Sequence, residues 1–174
     1  MNSAHAFALM ADYNQSMNAQ MYAAARALTD EELTQPRGAF FDSVLGSLNH
    51  IMVGDIIWLK RFATLCPALS PIEAWSQPTA LDECLYSTMA ELAEARTRLD
   101  ALILTFAQSL TDTQLAATLR YQSTRGDCYH KNFGLVLLHF FNHQTHHRGQ
   151  VSTLLNQAGV DVGVTDFLFT IPNE

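Results

Sequence analysis

A chain of 174 residues is about the size of one domain and long enough to bury a hydrophobic core. With 48% hydrophobic residues, only 16% charged ones and few glycines and prolines, disorder, collagen-like sequence, coiled coil and repeated β-turn folds are excluded. The formal charge of −7, with basic residues scattered singly or in pairs such as Lys60-Arg61, argues against a nucleic-acid footprint, which needs clustered Lys and Arg to neutralise phosphates.

The reading is therefore one domain over residues 1–174, in which sparse charge leaves apolar surface for a second copy to cover as a homodimer. Met residues of the first helix and Trp58 are the candidate dimer surface. Cys66, Cys84 and Cys128 are odd in number and lack CxxC spacing, which predicts reduced thiols in a cytoplasmic protein. The N-terminus shows no basic leader and Asp12 interrupts its apolar run, so no signal peptide is expected. Stretches such as Ala101–Ala107 fall far short of the ~20 residues of a membrane span.

Helical periodicity dominates from the start. Phe7, Met10, Met17, Met21, Ala24 and Leu28 recur at helical steps, predicting a long first helix over Ser3–Leu28. Thr29 with Glu32 forms a capping box that opens a short helical turn, and Gln35-Pro36-Arg37-Gly38 is a loop. Asp42 or Ser43 caps a second helix reaching about Leu65, stopped by Pro67. After a proline-rich connection over 66–78, a third helix is expected from near Thr79, with Asp82 and Glu83 in its first turn, to about Leu110. Its core stripe is Leu85, Met89, Leu92, Leu99, Leu102 or Ile103, and Phe106. Thr118–Lys131 alternates like strands around a turn at Ser123–Asp127, predicting a small hairpin. A fourth helix runs from about Asn132 to Ala158 with Gly159 as its stop, and the tail from Val160 reads as an extended strap.

A faint repeat underlies this order. Leu28-Thr29-Asp30 is echoed by Leu110-Thr111-Asp112, and Asn49-His50 by Asn142-His143, the second half carrying the hairpin as an insertion. Two similar halves of two helices each predict an all-α, four-helix bundle with pseudo-two-fold symmetry.

The histidines carry the chemistry. At ~100° per residue, His139, His143 and His147 share a ~80° sector of the fourth helix. Val136, Phe140 and Leu154 lie with them, so that sector faces the core. His143 and His147, one turn apart, have the spacing that lets two imidazoles reach one ion at ~2.0–2.1 Å. A third ligand must come from elsewhere, and His50, well inside the second helix, is the natural candidate. It projects over a strip of small residues that includes Gly46, Ser47 and Gly54, which could admit a neighbouring helix or leave room for an ion. Asp55 lies ~140° away from His50 and cannot share its metal, so it reads as a buried partner for another donor or an interface residue. His146, on the other flank, could replace a ligand. His139 is a candidate for the substrate side. His130 and His5 read as solvated. Asn49, Asn142 and Gln144 are amides that could orient a ligand ring. The cysteines lie away in sequence from His50, His143 and His147 and are not expected as ligands.

The string Phe141-Asn142-His143-Gln144-Thr145-His146-His147-Arg148-Gly149-Gln150 resembles the signature of the DinB/YfiT-like metalloenzymes. Ser47-Leu48-Asn49-His50, followed by Asp55-Ile56-Ile57-Trp58-Leu59, is similar to that family's helix-two motif. Gly38-Ala39-Phe40-Phe41 and Tyr121-Gln122-Ser123-Thr124-Arg125-Gly126 resemble the loop and hairpin of its proteobacterial DinB branch. The resemblance implies an up-down-down-up bundle, a homodimer, and a divalent metal on His50, His143 and His147. It also implies kinship with thiol-dependent enzymes, the bacillithiol S-transferases and a mycothiol-dependent maleylpyruvate isomerase. The family name refers to induction by DNA damage, but the acidic charge argues against DNA chemistry.

The expected function is a metal-dependent enzyme acting on a small molecule, as a low-molecular-weight thiol transferase or a hydrolase. Zn, Ni, Fe or Mn all suit three imidazoles. His139 or His146 would have to serve as the general base. No nucleic-acid or membrane partner is expected. The alternatives are a metal sensor or buffer without turnover, and a helical dimerisation domain whose histidines satisfy one another.

Overall fold

Side-chain caps set where the helices of this chain begin. The computed structural model describes residues 3–173. In chain order these form α1 (Ser3–Ala25), α2 (Asp30–Thr34), α3 (Val44–Phe62), α4 (Met89–Gln108), α5 (Asp112–Ala116), a hairpin of β1 (Thr118–Gln122) and β2 (Cys128–Asn132), and α6 (Phe133–Gln157). Single 3₁₀ segments cover Pro67–Ala74 and Phe167–Thr170. Of the two candidate caps of α3, Ser43 accepts from the Gly46 amide at 3.0 Å, while Asp42 adopts a left-handed backbone (φ 58°) in the loop before it. The Asn132 side chain caps α6 by accepting from Leu135 N. Gly159 (φ 81°) reverses the chain just past its end, where a left-handed residue is required. The strands pair antiparallel from Thr118↔Asn132 to Gln122↔Cys128.

The third long helix departs from expectation: it begins at Met89, not near Thr79. Thr88 is its cap, accepting from Glu91 N at 3.3 Å. Residues 79–88 form turns because tertiary contacts claim their backbone. Glu83 does not decorate a helix start but accepts from the amide and hydroxyl of Thr79 at 2.6 and 2.8 Å. The Asn49 side chain bonds both the N–H and the C=O of Tyr86, each at 3.0 Å, leaving neither for a helical ladder. Leu85 is consequently only half-buried, whereas Ile103 is fully buried and Leu102 is not. The proline-rich connection carries a 3₁₀ segment that drives Leu69 and Ile72 into the core.

The four long helices form the bundle in up-down-down-up order. α1 and α6 run parallel, with Phe7 on Phe141 and Asn14 bonded to Arg148. α3 and α4 also run parallel, with Asp55 on Arg96 and Phe62 on Phe106. α3 and α6 are antiparallel: His50 meets His143, Trp58 meets His139, and Phe62 meets Phe133. Phe62 at the centre touches Phe106, Phe133 and Phe140. Burying each such ring contributes ~1.5–3 kcal/mol, so this aromatic end anchors the bundle. Along α1, the Gln20 amide bonds the Val164 carbonyl at 2.9 Å and the Tyr13 hydroxyl bonds that of Thr165 at 2.6 Å, which makes the tail a strap.

The faint sequence repeat is a structural one. Thr29 with Glu32 and Thr111 with Gln114 both close capping boxes, at equivalent places. Counting back from the two Leu-Thr-Asp strings, Asn14 and Asn18 correspond to Arg96 and Asp100. Counting on from the two Asn-His pairs, Asp55 corresponds to Arg148. The contacts obey this correspondence, since Arg148 bonds Asn14 just as Arg96 bonds Asp55, and Asn18 bonds Asp100 across the axis. Of the candidate dimer residues, Met21 is buried, Met10 and Met17 are half-buried, and Trp58 is half-covered by Tyr121, Arg61 and His139. Among the described residues, no helix is long and apolar enough to cross a membrane.

Candidate metal centre

The i, i+4 spacing on α6 stacks His143 and His147, with ring centroids 4.4 Å apart, and the antiparallel crossing of α3 brings His50 against both. The His50 Nε2 lies 3.2 Å from the Nε2 of His143 and 3.2 Å from that of His147. Two nitrogens bound ~2.0–2.1 Å from one tetrahedral ion stand roughly 3.3 Å apart. The three ligand atoms therefore form a set that could hold one metal ion.

The outer nitrogens fix which way the lone pairs point. The Nδ1 of His50 sits 2.7 Å from the Leu81 carbonyl, which can only accept, so Nδ1 carries the proton and Nε2 is bare. The Nδ1 of His147 donates in the same way to Gln150 Oε1 at 2.7 Å. Two bare nitrogens thus face each other at 3.2 Å with no proton between them. A cation placed there satisfies both.

Electrostatics keep the rings neutral. Burial, then the neighbouring His147 and His50, push His143 down to about 3. Burial also lowers His50, against the Leu81 carbonyl that raises it, and lowers His147, against Gln150. Neutral imidazoles are the form a metal needs.

The small-residue strip on α3 serves two close approaches. A Cβ on Gly54 would stand 2.7 Å from His143 Cε1, so glycine there lets the ring lie across the helix. A Cβ on Gly46 would collide with the Phe41 carbonyl oxygen. Phe41 in turn stacks on His50, with ring centroids 3.6 Å apart at 15°, and meets His147 edge-on at 5.7 Å. It covers one face of the His50 ring.

Other sequence candidates fall in different places. His146 is exposed, edge-on to His147 at 4.8 Å, and outside the convergent set. His139 is exposed at the cluster's rim, with its ring 6.1 Å from His143 and 5.3 Å from Trp58. His130 is exposed on β2, and His5 is exposed in the first turns of α1. None of the three expected amides orients a ligand ring. Asn49 holds Leu45 and Tyr86, Asn142 is exposed, and Gln144 donates to Asp55 at 2.9 Å. That role belongs to Leu81 and Gln150. Gln150 could have been found by spacing, being three residues beyond His147 on the same face. Leu81 could not, because any residue offers a carbonyl.

Asp55 is a buried partner, as its position on α3 predicts. It binds Arg96 at 2.6 Å, and Arg96 reaches Asp100 at 2.8 Å. Burial raises both carboxyls and the guanidinium between them pulls them back. With Arg148, the network holds equal positive and negative charge. Cys66 is buried and its thiol is pushed up to about 11 by that burial, so it is no ready nucleophile.

A three-imidazole cluster in an up-down-down-up bundle defines a class, the helical bundles with a histidine cluster that could hold a metal. The chain belongs to the DinB family, whose model matches residues 1–174. It is similar to "Protein DinB" of Bacillus subtilis (strain 168), with 29% identity over 158 residues, covering 90% of this chain and 88% of that protein. No solved structure matches it significantly.

Proposed function

We propose that this protein is a metal-dependent enzyme in which His50, His143 and His147 hold one divalent ion and leave coordination positions open to a small-molecule substrate. One observation carries the reading: the bare nitrogens of His50 and His147 face each other at 3.2 Å, an arrangement costly without a cation. Once bound, such an ion lowers the pKa of a ligated water or thiol. The family resemblance favours a low-molecular-weight thiol, bound as thiolate for transfer to an electrophile.

The chain's own residues supply the rest. Leu81 and Gln150 hold the outer nitrogens and keep two ligand lone pairs aimed inward. Phe41 covers one face of the His50 ring. His139 is the better placed proton acceptor of the two candidates, because it lines a cavity of about 510 Å³ with Trp58, Tyr121 and Val136. Although its edge is exposed, the covered part of the ring is desolvated and its pKa lowered, so it is neutral and able to take a proton near pH 7. A homodimer belongs to the same reading. It would cover Leu135 and Leu138, which are 66% and 55% exposed on α6, and sedimentation tests it.

Elemental analysis of protein purified without a chelating tag or resin tests the centre. About one metal per chain is expected, lost in folded His50→Ala, His143→Ala and His147→Ala variants. No metal in the parent, and none taken up on titration, would overturn it.

A further inference from the structure

At ~100° per residue, His50, Gly54, Ile57 and Arg61 fall in one ~60° sector of α3. The stripe that presents His50 to the cluster therefore continues away from it, and it ends in an open cavity of about 420 Å³ lined by Ile57, Lys60, Arg61, Thr79, Arg120 and Tyr121. In a chain with only ten Lys and Arg and a net charge of −7, three basic side chains meet here, and no Asp or Glu lines the cavity. Among the described residues both ion pairs belong to the buried Asp55–Arg96–Asp100 network, so none of these three is ion-paired; the nearby Glu83 carboxylate is taken up by the amide and hydroxyl of Thr79.

The geometry also holds Arg61 ready. Its guanidinium lies over Trp58 at 4.5 Å and Tyr121 at 4.9 Å, and one N–H donates to the Gln122 carbonyl at 2.9 Å. The stacking fixes the plane of a fork that has four further donors to offer. Two connections tie the cavity to the histidine cluster. The segment carrying Thr79 goes on to Leu81, whose carbonyl holds His50. Trp58 beneath Arg61 touches His139, which neighbours His143.

We infer that this cavity binds the anionic group, a carboxylate or phosphate, of the small molecule whose other end reaches the three-histidine centre. The inference rests on the proposed metal site for its second half only. Arg61 stands ~10 Å along α3 from Gly54, where His143 lies, so the substrate class is an anion with its reacting atom about that far from the charge.

Two arms test it. In a Trp75→Phe background, inorganic phosphate titrated into metal-free protein is expected to change Trp58 emission saturably. Arg120→Gln should weaken that binding about tenfold, and Arg98→Gln, outside the cavity, should not. Absence of a saturable change, or equal affinity in Arg120→Gln, overturns the anion site. In the second arm, cobalt-loaded protein is titrated with 2-mercaptoethanol and with ω-mercaptoalkanoates of increasing length, read by the cobalt–thiolate absorption band. Affinity should rise above that of 2-mercaptoethanol as the chain approaches ~10 Å, and Arg120→Gln should remove the gain. A band with no gain at any length overturns the inference and leaves the metal centre standing. No band from any thiol overturns the thiol reading of that centre and the coupling to it, while the phosphate arm reports on the cavity separately.

Discussion

Two polar assemblies lie inside this bundle, and they are built on opposite principles. In the network of Asp55, Arg96, Asp100, Arg148, Asn14, Asn18 and Gln144, the carboxylates meet guanidinium or amide donors and the charges cancel. Its charges are matched within the protein, although Arg96 Nε and Gln144 Oε1 are left without a hydrogen-bond partner. The histidine cluster lies about one turn away along α3, with three neutral rings, the outer nitrogens of His50 and His147 anchored, and the three Nε2 atoms drawn together. It is incomplete without a ligand. Burial alone does not mark a functional site; what marks it is polar atoms oriented toward a position that no protein group fills.

Breaking the network should cost most. Asp55→Ala leaves Arg96 buried and short of a partner, an expected loss of about 3–5 kcal/mol in urea unfolding, with metal content per folded chain unchanged. If metal content fell in step with stability, the two assemblies would be one. Disturbing the cluster should do the converse. Gln150→Ala removes the acceptor that orients His147, and metal affinity should fall tenfold to a hundredfold while unfolding of the metal-free protein barely moves. Gly54→Ala, which sets a Cβ against the His143 ring, should lower affinity in the same direction. Competition with a chromogenic chelator measures both.

The pH dependence sharpens the contrast further. His50, His143 and His147 have folded pKa values below the ordinary 6.5, so below that pH the unfolded chain binds protons that the folded chain refuses. Stability of the metal-free protein should therefore hold above pH 6.5 and fall as pH drops from there toward the value of about 3 for His143. The His143→Ala variant should show a shallower fall in urea titrations at a series of pH values. The smallest effect tests the repeat. Thr29→Ala and Thr111→Ala, at equivalent capping boxes, should each cost ~1 kcal/mol and leave metal binding alone.

Much of this was legible in the chain. Helix periodicity, the capping boxes, the turn before Gly126 and the pairing of His143 with His147 are properties of neighbouring residues, and they came out where the spacing places them. His50 was reachable because it projects over small residues. The start of α4 was not, because Thr79, Asp82 and Glu83 imitate a helix N-terminus locally while Asn49, distant in sequence, takes both backbone groups of Tyr86.

The sequence by itself therefore determined the secondary structure of the long elements and the face on which each candidate ligand lies, since both depend on angles repeated within one helix. Only the tertiary structure decided the rest. It set Leu81 and Gln150 against the outer ring nitrogens, paired Asp55 with Arg96, and joined the stripe of His50 to a basic cavity completed by β1. Those contacts are made by atoms from separate elements, and no local spacing encodes which carbonyl or guanidinium will arrive.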